Sequence, residues 1–168
     1  MTTDTRTVRP RRVVTGHDAE GGGRVLRDEA VAAVKFLGPG VASTLMWVTD
    51  RCPAPIPPGD VAEADRQVPG TPPPPHGTRF CVLELAPGTR SAMHRTETID
   101  YIAMLSGRIE MEMDDGTVVL EPGDIMIQRG TTHAWVNRGE VPARFAVVLV
   151  DAEPLGIGRP LGRDETCG

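Results

Sequence analysis

Residues 87–137, PGTRSAMHRTETIDYIAMLSGRIEMEMDDGTVVLEPGDIMIQRGTTHAWVN, consist of short apolar runs broken at close intervals by turn residues. Ile99 to Leu105, Arg108 to Met113, Thr117 to Leu120, Asp124 to Gln128 and His133 to Val136 each read as a strand. The clearest turn is Asp114-Asp115-Gly116, since Asp-Gly tolerates the positive φ angles of a tight hairpin. In the strand before it Glu110 and Glu112 alternate with Ile109, Met111 and Met113, so one face is wet and the other packs inward. Arg79 to Leu85 and Arg144 to Asp151 flank the stretch as further strands. Seven short strands at even spacing indicate a mainly β, antiparallel sandwich or barrel.

Outward from this core the chain is less regular. Arg12 to Asp50 alternates apolar runs with glycine clusters and reads as additional strands, with Asp28 to Leu37 as a candidate helix ended by Gly38-Pro39-Gly40. Cys52 to Gly77, with Pro72 to Pro75, reads as a long surface loop, and Ala152 to Gly168 as a loosely ordered tail. The expected organisation is residues 1–78 as N-terminal strands and a Pro-rich loop packed on a barrel, 79–151 as the barrel, and 152–168 as the tail. A length of 168 residues suits one domain, and the nineteen glycines and sixteen prolines suit a turn-rich one.

A net charge of −5 with dispersed cations leaves no footprint for nucleic acid. The one basic cluster, Arg6, Arg9, Arg11 and Arg12, reads as an exposed, solvated tail. No apolar stretch is long enough to span a bilayer and the polar start lacks a secretory core, so the expected place is the cytoplasm. Cys52, Cys81 and Cys167 have no metal-binding spacing and are expected to be reduced thiols.

Gly88, His94, Asp100 and Gly107 match the spacing of the motif Gly-x5-His-x-His-x3-Glu-x6-Gly, with Thr96 in the place of its second histidine and Asp100 in that of its glutamate. Gly123, Gly130, His133 and Asn137 match a second motif ending Gly-x2-His-x3-Asn, with Arg129 where proline is usual. On these residues the chain resembles the cupin superfamily over about residues 79 to 151, which implies a single antiparallel jelly-roll barrel carrying extra N-terminal strands. The strings Ile99-Asp100-Tyr101, Leu105-Ser106-Gly107 and Gln128 to Trp135 resemble more narrowly the small cupins of actinobacteria and of fungal natural-product clusters, commonly described as oxidoreductases or as dehydratase-like and decarboxylase-like tailoring enzymes.

The resemblance implies one divalent metal (Fe, Zn, Mn or Ni) held by His94, Asp100 and His133, although Thr96 is a weak ligand and leaves a metal-free cavity as the alternative. Glu97 falls on the opposite face of an extended strand from His94, Thr96 and Asp100, so Asp100 is the better carboxylate. Without a metal, His94 and His133 beside a buried carboxylate would serve as general acid and base. Thr96, Met104, Arg129, Trp135 and Asn137 are expected to contact substrate, Arg129 by reaching a carboxylate from the rim. The leading expectation is a lyase-type tailoring enzyme (dehydratase or decarboxylase) for an apolar or polyketide-like small molecule. A metal-dependent oxygenase or oxidoreductase and a non-catalytic binding cupin are the alternatives. The expected partners are a small-molecule substrate and a second copy in a homodimer, with neither nucleic acid nor membrane.

Overall fold

A computed structural model describes residues 9–59 and 66–167, and within them every regular element is a strand. In chain order these are β1 (Arg11–His17), β2 (Gly23–Ala30), β3 (Val34–Gly38), β4 (Val41–Thr49), β5 (Thr78–Leu85), β6 (Thr98–Ser106), β7 (Ile109–Met113), β8 (Gly116–Leu120), β9 (Ile125–Arg129), β10 (Ala134–Val136) and β11 (Ala143–Asp151). Alternation sets what each strand buries: in β11 Ala143, Phe145, Val147 and Leu149 point inward, and in β6 Thr98, Asp100, Ile102 and Met104 do. Among the described residues no helix is long and apolar enough to cross a membrane.

Six strands form one antiparallel sheet in the order β3-β4-β5-β11-β6-β9, and three form a second in the order β10-β7-β8. The second sheet is widened by residues 90–94, which run antiparallel to β10 through bridges pairing Arg90 with Val136 and His94 with His133. The inner faces meet in one apolar core, where the Trp135 and Phe145 rings lie 4.7 Å apart at their centroids. β1 and β2 form a separate hairpin.

Three expectations need correction. Asp28 to Leu37 is not a helix: Asp28 and Glu29 pair across the β1–β2 hairpin, and Val34 to Phe36 pair with Ala42 to Thr44, so sheet hydrogen bonds override the local alanines. Arg11 and Arg12 are not a solvated tail, since both lie in β1; Arg11 pairs with Asp28, and Arg12 is buried against Glu29 and the Met46 carbonyl. Arg6 lies outside the described residues. Nor is the Pro-rich loop all surface, or the tail loose. Thr71, Pro72 and Pro73 are buried, and the Thr71 N–H donates to the Glu165 carbonyl at 2.8 Å. Leu161 N–H donates to the Arg95 carbonyl at 2.7 Å, so residues 152–167 are tied onto the barrel.

Two motif residues hold the barrel's turns. Gly107 has φ +74, and a Cβ there would sit 2.6 Å from the Pro142 carbonyl oxygen, so only glycine lets β6 turn so close to the start of β11. Asn137 is fully buried; its amide donates to the Leu85 and Val141 carbonyls at 2.9 Å each, and its side-chain oxygen accepts from Gly139 N–H. Asn137→Ala strands two buried carbonyls and one N–H, and is expected to cost about 2–3 kcal/mol. The measurement is urea unfolding: a lower midpoint at unchanged slope is expected, and a wild-type midpoint would show that the turn is held by other contacts.

Candidate active site

Between the two sheets lies an enclosed cavity of about 30 Å³, room for about two waters. The large sheet contributes Asp100 and Arg79 above apolar Ile102, Phe145 and Val147. The small sheet and its extension contribute His94, Thr96, His133 and Trp135. Thr71 and Cys167 reach in from the irregular segments and close one end.

His94 and His133 face each other across the isolated bridge, with ring centroids 4.4 Å apart. His94 Nδ1 is 2.9 Å from the Ala92 carbonyl, which can only accept, so Nδ1 carries a proton and the neutral ring presents a bare Nε2. His133 Nδ1 lies 2.9 Å from the Thr131 carbonyl and 2.8 Å from the Gln128 amide nitrogen. The orientation of the Gln128 amide therefore decides which His133 nitrogen holds the proton. The Gln128 carbonyl oxygen is buried and without a partner.

Asp100 is only 5% exposed, and one of its carboxyl oxygens is buried without a hydrogen bond. The other group it meets is the Thr98 hydroxyl, itself 2.7 Å from that of Thr96. Burial pushes the Asp100 carboxyl up to about 6, against the opposing pull of Thr98 and the His94 charge. Burial and then the charge of His94 push His133 down to about 4, against the Thr131 carbonyl. For His94 burial is the largest influence and disfavours the cation, but the Cys167 sulphur, the Ala92 carbonyl and Asp100 together outweigh it and hold the ring above its ordinary value. For Cys167 burial likewise raises the thiol, and His94, Thr71 and Arg79 outweigh it to bring it below its ordinary value.

The divalent metal that the resemblance implies does not fit this arrangement. Among the described residues no three His, Cys, Asp or Glu side chains converge as one ion requires. Thr96, which stands in a ligand position, spends its hydroxyl on Thr98.

The structure thus brings together His94, Thr96, Asp100, His133 and Trp135, as the spacing and strand parity lead one to expect. It places three other expected contacts elsewhere. Met104 is buried in the core beside Phe145 in the β6–β11 register and does not line the cavity. Arg129 is exposed, because it alternates with inward-facing Gln128 along β9. Asn137 spends its side chain on the turn after β10. Residues not singled out from the sequence are Arg79, Thr98, Gln128 and Cys167. Arg79 shares parity with Cys81, Leu83 and Leu85 on β5, a signal in the sequence; the place of Cys167 has none, because no periodicity reaches it.

Comparison with known proteins agrees with this geometry. The profile of the cupin domain matches residues 81–150. Phomopsin biosynthesis cluster protein C′ of Diaporthe leptostromiformis is 41% identical over 91 residues, covering 52% of this chain and 48% of that protein. The chain therefore spans about half the length of that relative. The cupin-domain-containing oxidoreductase fogC of Aspergillus ruber is 32% identical over 153 residues, covering 86% of this chain and 73% of that protein. Among solved structures the cupin domain of Schizosaccharomyces pombe Cnp3 superposes with a TM-score of 0.52 at 12% identity, over 84% of this chain and 87% of that one, a likeness of fold alone. Two spaced motifs, an antiparallel two-sheet barrel enclosing their histidines, and relatives aligned over most of the length lead to one assignment: the chain belongs to the cupin superfamily.

Proposed function

We propose that the chain is a small-molecule tailoring enzyme that works by proton transfer, with His133 as base and Asp100 and His94 as the groups that hold and return the proton. The observation that carries this reading is the meeting of Asp100, His94 and His133 in one closed, largely apolar cavity that drives their proton affinities apart. Above about pH 4 His133 is neutral and able to accept a proton. Below about pH 6 Asp100 is a neutral acid able to donate one. On a β-hydroxy carbonyl compound, His133 would take the proton beside the carbonyl. Asp100 would protonate the departing hydroxyl, which leaves as water. Fungal biosynthesis-cluster relatives support the natural-product setting of such a reaction.

A second reading, a metal-dependent oxidoreductase, is favoured by the names of several relatives, fogC among them. Stoichiometric metal in untagged protein, with activity lost on chelation and restored by re-addition, would replace the first reading with this one.

Incubating the protein with small β-hydroxy and β-keto carbonyl compounds in D₂O tests proton transfer whatever the natural substrate is. Deuterium is expected at the carbon beside the carbonyl, read by mass spectrometry, and His133→Ala or Asp100→Asn is expected to slow its entry about a hundredfold or more. Binding without exchange across the panel would instead identify a non-catalytic carrier.

The same shifts bear on stability. The Asp100 carboxyl is raised from 3.8 to about 6, so the folded chain keeps a proton that the unfolded chain has lost, and stability falls as pH rises through that window. His133 is lowered from 6.5 to about 4, so its contribution is present above pH 6.5 and is lost as pH falls to about 4. The two slopes oppose each other, which predicts a shallow wild-type profile. Asp100→Asn removes one of them. Its urea-unfolding free energy is expected to match wild type near pH 4 and to exceed it by about 3 kcal/mol at pH 7. A pH-independent difference would show that the carboxyl is not held in an ion-excluding site.

A further inference from the structure

Three buried arginines stand inside this chain, and one differs from the other two. Arg12 pairs with Glu29, and Arg95 with Glu97. Arg79 is 3% exposed, and among the described residues it has no carboxylate partner. Its guanidinium donates to the Gly70 carbonyl, to the Thr71 carbonyl at 2.9 Å and to the Ser43 hydroxyl at 3.4 Å. Its Nε is buried and makes no hydrogen bond. Neutral acceptors do not offset a full charge taken out of water, so the guanidinium stands ready for an anion.

That cation lines the same cavity as the acid–base residues. Arg79 and Asp100 both pair with Leu149, one from each side of β11, so they occupy one row across the large sheet. With neighbouring strands about 4.8 Å apart, their Cα atoms are about 10 Å from each other. Asp100 gains no stabilisation from Arg79; its charge partner is His94. The cavity therefore has a cationic end and a proton-transfer end, and a small molecule held at the first extends to the second.

We propose that Arg79 is the anchor for a carboxylate on the substrate, the role that strand parity denies to exposed Arg129. This rests on the proposed function above and names the substrate class, a small organic monocarboxylate whose reacting carbon lies towards Asp100 and His133. A planar guanidinium with an unused Nε–H suits a carboxylate better than a point charge does. Cys167, also under the influence of Arg79, is the sulphur of the chain's own strap at this end, secured by its N–H to the Thr71 hydroxyl at 3.2 Å. Only formate- or acetate-sized anions fit the cavity as it stands, and a larger carboxylate displaces the strap.

The probes are sodium acetate and neutral acetamide, titrated into the full chain at pH 7 and constant ionic strength, with melting temperature and calorimetric affinity as readouts. Acetate is expected to raise the melting temperature by about 3 °C once it exceeds its Kd about tenfold, and acetamide to leave it unchanged. Arg79→Gln is expected to abolish acetate binding. Arg79→Lys, which keeps the charge and covers the case in which the glutamine variant does not fold, is expected to weaken it at least fivefold. Equal stabilisation by acetate and acetamide, or wild-type affinity in either folded variant, would overturn the proposal and leave Arg79 as a tie for the Gly70–Thr71 loop. The readout is binding without turnover, so its failure is separable from failure of proton transfer, which the deuterium experiment reads.

Discussion

The His94 N–H donates to the His133 carbonyl and the His133 N–H to that of His94, both at 2.9 Å, and this one antiparallel bridge joins two motifs that are far apart in the chain. It extends the small sheet with residues 90–94, completes the wall facing the large sheet, and sets the two imidazoles 4.4 Å apart. Both rings then find backbone carbonyls two residues away, Ala92 and Thr131, for their Nδ1 atoms. The backbone pairing thus determines where the rings lie and which ring atoms remain for chemistry.

From that pairing the electrostatics follow. Once the rings and Asp100 are enclosed by Trp135, Phe145 and Val147, water no longer solvates their charges, and burial becomes the largest influence on each. The three do not respond alike. Asp100 and His133 lose their charged forms, whereas His94 keeps its own because Cys167 lies beside it. Closure is the work of irregular backbone: Gly70 lacks a side chain where the Arg163 carbonyl passes, and Arg163 in turn bonds the Pro73 carbonyl and Asp151. The site is thus sealed by the two segments whose sequences carry the least pattern.

Much of the barrel was legible because strand alternation is a local property. The Asp114-Asp115-Gly116 turn, with Glu110 and Glu112 outward and Ile109 and Met111 inward, appears in the structure as the β7–β8 hairpin. Parity also separated Asp100 from Glu97 and placed Thr96 and Trp135 inside. It was less successful where a side chain's partner is set by a distant segment. Asn137 has the parity of His133 yet turns to the Leu85 carbonyl, and the alanines after Asp28 read as helix until β4 supplies a pairing edge.

By itself, then, the sequence determined the strand pattern, the barrel family and the positions of His94, Asp100 and His133, since spacing and alternation are written residue by residue. Only the tertiary structure decided what those residues share a cavity with. Gln128 meets His133 through a backbone turn, Arg79 enters from β5 without a countercharge, and Cys167 arrives on a strap with no periodicity. Whether three potential ligands converge on one ion, or instead form a proton-transfer site with a cationic end, depends on distances of a few ångströms between strands, and no linear spacing encodes those.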